Sequence, residues 1–201
     1  TGVVLDGPAY FPPLQAKGTM TAQMFSSSPT GGSESMHLMY LMAITSARET
    51  IDLSASYFVP DELTVRTLIA AAKRGVKVRL ITPGHIIDSD LVRAASRDRW
   101  PELLAAGVQV SEYQPTMYHV KTLIVDKLLV SVGSTNFDNR SFSINDEANL
   151  NVLDAGFATQ MTDVFNDDWK LAKPVTPQAL AKRPWWEHVS TWFASLFEAQ
   201  L

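Results

Sequence analysis

The chain has 201 residues, 46% of them hydrophobic, which is enough to bury one sizeable core and argues against disorder. Its net charge of −4 offers no general attraction to a polyanion, so nucleic acid is not an expected partner. The absence of cysteine excludes disulfides and thiolate metal sites, and no apolar run approaches the roughly 18 residues that a membrane span requires.

Residues 1–19 are rich in proline and glycine, show no clear period, and read as a linker lying on the surface. They lack the basic start and apolar core of a signal peptide. With no initiating methionine, such a start is expected either of a fragment that follows a preceding half or of a trimmed terminus. Residues 20–26 read as a first strand and 27–32 as a loop, after which Ser33 caps a helix with Met36, Met39, Tyr40 and Ala43 at helical spacing. The methionines at 20, 24, 36, 39 and 42 suit either a core or a soft lipid-facing surface.

Residues 50–56 read as a strand, 57–61 as a loop, and a helix capped by Asp61 and closed at Gly75 leads to a nearly all-apolar strand over 76–81. This is a βαβ unit, with a parallel pair and a right-handed crossover, so the class is α/β. Helices over 88–98 and 101–106, strands over 108–113, 119–125, 128–132 and 148–153, and a last helix over about 155–170 follow. The tail from 174 is expected to stand apart. Trp185, Val189, Trp192 and Leu196 fall on one helical stripe with Trp186, Phe193 and Phe197 beside it, which suits packing on the domain or lying in a membrane interface.

Residues 118–150 are where chemistry concentrates. His119 and Lys121 are two apart on a strand and so share a face, where imidazole and ammonium can address one ligand. Asp126 lies at an odd offset from Lys121 and is expected to serve a turn or an ion pair, not catalysis. Gly133 lets backbone approach a ligand closely, and Ser134 and Asn136 can donate hydrogen bonds that, with Lys121, suit a phosphate oxyanion. Glu147 is placed to hold the far ring nitrogen of His119 and fix its tautomer. No metal or other cofactor is called for, because a cation and hydrogen-bond donors already suffice for the phosphate.

The run His119-x-Lys121-x(4)-Asp126-x(6)-Gly133-Ser134-x-Asn136 resembles the HKD motif of the phospholipase D superfamily at every position. Residues 57–61, 71–78, 112–115 and 133–141 look like the second half of bacterial cardiolipin synthases. The resemblance implies an α-β-α sandwich, here a mixed, largely parallel sheet with helices on both faces. Together with the residue patterns of the two ends, the expected layout is linker 1–19, catalytic domain 20–173 and amphipathic helix 174–201. In that family two HKD motifs meet in one site, and one histidine attacks phosphorus while the other protonates the leaving alcohol. His37, His85 and His188 have no lysine two residues on, so this chain supplies one motif, and the partner is an N-terminal HKD half or a second copy.

The implied activity is phosphatidyl transfer from a phospholipid to an alcohol such as phosphatidylglycerol, at the bacterial cytoplasmic membrane, with this chain peripheral. Hydrolysis uses the same site with water as acceptor. A homodimeric single-motif nuclease or phosphodiesterase and a non-catalytic lipid- or partner-binding module are the other readings.

Overall fold

The computed structural model describes residues 6–15, 17–29 and 33–181. Residues 6–15 are exposed. The elements in chain order are β1 (Thr21–Ser27), α1 (Ser33–Ser46), β2 (Thr50–Ala55), β3 (Phe58–Val59), α2 (Glu62–Lys73), β4 (Lys77–Pro83), α3 (Asp90–Asp98), α4 (Trp100–Ala105) and β5 (Gln109–Tyr113). They continue with β6 (Lys121–Val125), β7 (Leu129–Gly133), β8 (Phe137–Asp138), α5 (Asn139–Ser143), β9 (Glu147–Leu153), α6 (Ala155–Leu171), β10 (Ala172–Pro174) and α7 (Pro177–Ala181).

The expected βαβ unit is present. Asp61 caps α2 by accepting from the Thr64 N–H at 2.8 Å, Val65, Leu68 and Ala71 face inward, and Gly75 leaves the helix at φ +93°. β2 pairs parallel with β4, and β4 with β5. All other pairings of the eight-stranded sheet, ordered β1-β9-β7-β6-β2-β4-β5-β10, are antiparallel. The α/β class therefore holds, but the sheet is not largely parallel. The reason lies in the tight connections of the motif half. Asp126 and Lys127 both adopt positive φ, 52° and 51°, and the Leu128 N–H donates to the Val125 carbonyl at 3.0 Å. That is a two-residue hairpin turn whose twist suits antiparallel strands, made by Asp-Lys where Asn-Gly would be the usual signal.

Strand periodicity splits the core into two layers. Leu53, Leu123 and Val125 pack with α1, α2 and α4, while Ile81, Ile124 and Val130 pack against Ala158 and Phe165 of α6. Helices thus cover both faces of the sheet. Met36 belongs to the first layer, whereas Met20, Met24 and Met42 are exposed. β10 pairs with β5 up to Pro174 and Leu180 is buried, so the core runs past residue 174, where the sequence suggests a break. The aromatic stripe over 185–197 lies outside the described residues. Among the described residues no helix is long and apolar enough to cross a membrane.

Candidate active site

The site forms at one end of the sheet, where the exit of β2, the entry of β6, the segment after β7 and the entry of β9 come together. β6 begins at Lys121, opposite Ala55, so His119 and Val120 precede the strand instead of lying within it. His119 is exposed as a result. Its neighbour Tyr118 is the anchor: the buried phenol lies 2.9 Å from both the Ser54 hydroxyl and the Asp168 carboxylate, and its ring meets that of Tyr113 at a tilt of 35°. Burial, with the nearby Asp168, pushes the Tyr118 phenol well above its ordinary range, so it remains neutral and able to donate.

Lys121 is half-buried and holds the centre of the site. Its Nζ donates to Ser56 Oγ at 2.6 Å and lies 3.3 Å from both ring nitrogens of His119. Ser56 Oγ in turn donates to Asn136 Oδ1 at 2.8 Å. Burial lowers the Lys121 pKa, and the Glu147, Asp138 and Asp88 carboxylates oppose that shift. The edge of Tyr57 faces the His119 ring at 6.2 Å between centroids, and its hydroxyl donates to Asp88 at 2.5 Å. Burial and then Asp88 push the Tyr57 phenol up to about 12.

Ser134 donates to the Glu147 carboxylate and accepts from the Ala148 N–H at 3.1 Å, while Asn145 donates to the other Glu147 oxygen at 3.2 Å. Glu147 therefore holds Ser134, not His119 as expected. The sheet order explains this: β7 lies between β9 and β6, so Glu147 starts two strand spacings, about 10 Å, from the entry of β6. Its influence on Lys121 is through charge.

Gly133 also works differently from expectation. A Cβ there would meet the Ala148 carbonyl oxygen at 2.2 Å and the Asn149 Cα at 2.6 Å, so it is the backbone of β9, not a ligand, that needs the space. That close approach lets the buried Thr135 hydroxyl donate to Asn149 Oδ1 at 2.8 Å, with the Asn149 amide donating to Tyr40 and Ser131. The network fixes the loop that presents Ser134 and Asn136.

Asp126 sits at the far end of β6. Its carboxylate accepts from the backbone N–H groups of Arg48, Glu49 and Thr50 at 2.9, 2.8 and 2.9 Å, tying the α1–β2 connection to the β6–β7 turn. Partial burial works against its charge, but the three backbone donors outweigh it and hold the pKa below the usual carboxylate range.

Four residues of the site were not marked by sequence reasoning: Ser56, Tyr57, Asp88 and Asp138. Asp138 caps α5 by accepting from the Ser141 N–H at 2.7 Å, and its burial, despite that bond, raises its pKa to about 6. Its sequence signal was an Asp two residues beyond Asn136 at the start of a short helical stretch. Ser56 carried no signal, because a serine ending a strand is commonplace.

Residues 40–169 match the family described as "Cardiolipin synthase, PLD-like domain". The chain is 37% identical over 174 residues to cardiolipin synthase 2 of Staphylococcus epidermidis, across 87% of this chain and 36% of that protein. To the probable cardiolipin synthase YwiE of Bacillus subtilis it is 36% identical over 199 residues, across 99% of this chain and 39% of that protein. It thus spans somewhat more than a third of these relatives. Among solved structures, Nuc, a phospholipase D family member from Salmonella typhimurium, superposes with a TM-score of 0.67 at 24% identity, over 78% of this chain and 99% of Nuc. Phosphatidylserine synthase of Haemophilus influenzae superposes with a TM-score of 0.68 at 11% identity, over 94% of this chain and 49% of that one. The same fold unit thus fills one of those chains and half of the other. By the extent of the sequence match, the chain belongs to the phospholipase D-like domain family of cardiolipin synthases.

Proposed function

We propose that this chain is the half of a cardiolipin synthase-type enzyme that supplies one of two catalytic histidines for phosphatidyl transfer through a phosphohistidine. The observation that carries the reading is the exposed His119 ring lying 3.3 Å from the Lys121 ammonium, at the sheet end where Ser134 and Asn136 also lie. An imidazole beside a cation and the Asn136 amide suits an anionic phosphodiester whose charge must be held while a bond to phosphorus changes.

The chemistry asks for two imidazoles in different protonation states. In the first step the histidine of the other motif forms a P–N bond as the P–O bond to the leaving alcohol breaks. His119 gives its proton to that oxygen. In the second step, neutral His119 takes the proton of the acceptor hydroxyl, whose oxygen forms the new P–O bond as P–N breaks. With phosphatidylglycerol as donor and acceptor, the products are cardiolipin and glycerol. The relatives' greater length leaves room for the other HKD half, and the lipid substrate places the enzyme at a membrane surface.

The test uses the complete protein with phosphatidylglycerol labelled at phosphorus, quenched during turnover and mapped for phosphohistidine. Label on the histidine of the other motif is expected, and label on His119 reverses the assignment. Release of phosphatidic acid in place of cardiolipin replaces transfer by hydrolysis.

A further inference from the structure

We infer that Ser56 is a positioning residue of this site: its single hydroxyl aims the Lys121 ammonium and sets the Asn136 amide so that both present donors to a phosphate oxygen. The inference rests on the phosphate-binding reading above. A lysine ammonium carries three protons. One goes to Ser56 Oγ at 2.6 Å and one faces the His119 ring at 3.3 Å, which leaves the third for a ligand. A hydroxyl has one proton to give, and Ser56 gives it to Asn136 Oδ1 at 2.8 Å. With its carbonyl oxygen engaged in this way, Asn136 turns its Nδ2 donors away from Ser56, where they can meet a phosphate. Without that hydroxyl, the Lys121 ammonium and Asn136 Oδ1 both lose the partner they share, and neither is held in the orientation that faces the ligand.

The placement is rigid. Ser56 is 1% exposed, directly beyond Ala55, which is paired with Lys121. Because Lys121 is partly withdrawn from water, an acceptor at 2.6 Å also stabilises its charged form. A small cavity behind Ser56, lined by Thr82, Ser96 and Trp100 among others, gives the extra methyl of a threonine somewhere to go.

The experiment compares Ser56→Ala, Ser56→Cys, Ser56→Thr and Lys121→Met in the complete protein. It reads inhibition of bis(4-nitrophenyl) phosphate cleavage by inorganic phosphate, the pH profile of kcat/KM, and melting temperature. Ser56→Ala and Ser56→Cys should raise the inhibition constant for phosphate roughly ten- to a hundredfold, the size of a hydrogen bond to a charged group. Both should also move the alkaline limb of the profile to lower pH, because an ammonium that loses its acceptor releases its proton more readily. Ser56→Thr should restore both.

Unchanged phosphate inhibition and pH profile in Ser56→Ala and Ser56→Cys, with Lys121→Met weakened, overturns the role of Ser56 and leaves the site reading intact. A folded Ser56→Thr that fails to restore either quantity overturns the claim for the hydroxyl. If Lys121→Met also binds phosphate normally, the phosphate site itself is wrong and the inference falls with it.

Discussion

At the start of β6, Lys121 shares its ammonium between Ser56 and the exposed ring of His119, whereas just past the strand's other end Asp126 spends its carboxylate on three backbone N–H groups. Both residues belong to one motif, yet their surroundings differ in kind. Around Lys121 the partners are side chains, buried Ser56 on one side and the exposed His119 ring on the other, and the exposed side is open to a ligand. Around Asp126 the partners are main chain from the α1–β2 connection, and a turn with φ of 52° at Asp126 fixes the geometry. A motif can therefore mix residues that act on substrate with residues that hold the strand presenting them.

The sharpest way to break this comparison is at His119. In the complete protein, His119→Ala should lower turnover by about 10²–10⁴-fold, the range for loss of a general acid–base, with an unchanged melting temperature because the ring is exposed. Lys121→Met should cost about 10²–10³-fold in kcat/KM for a phosphodiester, as loss of a preorganised charge partner does.

At the other end the effect should move from rate to stability. Asp126→Ala leaves three N–H groups without their acceptor, so a loss of about 2 kcal/mol and roughly 4–8 °C in melting temperature is expected. A pH series sharpens the point. Because the folded pKa of Asp126 is depressed, its stabilisation is present above the unfolded carboxylate pKa of about 3.9 and is lost as pH falls through the lower folded value. The gap between wild type and Asp126→Ala, measured by chemical denaturation, should close over that acid range.

Asp138 offers the smallest effect, with the opposite sign. Its folded pKa is raised to about 6 by burial, so its contribution is full below the unfolded pKa and declines as pH rises through 6. Asp138→Asn keeps an oxygen for capping α5 and should gain stability relative to wild type between pH 5 and pH 7.

Much of this division was legible in the sequence. The spacing of Lys121 and Asp126 set them on different tasks, and the apolar runs located most strands to within a residue or two. The parallel sheet was over-read because β2-α2-β4 announces itself by its alternating strand and helix, while chain order does not say that β6 pairs antiparallel with β2 and β9 with β7. The partner of Glu147 was misjudged for a similar reason: chain order does not say that β7 separates β9 from β6. Ser56 meets Lys121 across 65 residues of chain, a contact created only when β2 and β6 pair.

The most direct test of the central claim sets Lys121→Met beside Asp126→Ala in the complete protein, with turnover per folded molecule measured below both melting temperatures. The account predicts that Lys121→Met is folded and nearly inactive, while Asp126→Ala is less stable and turns over within a few-fold of wild type. A fully stable, inactive Asp126→Ala would contradict it.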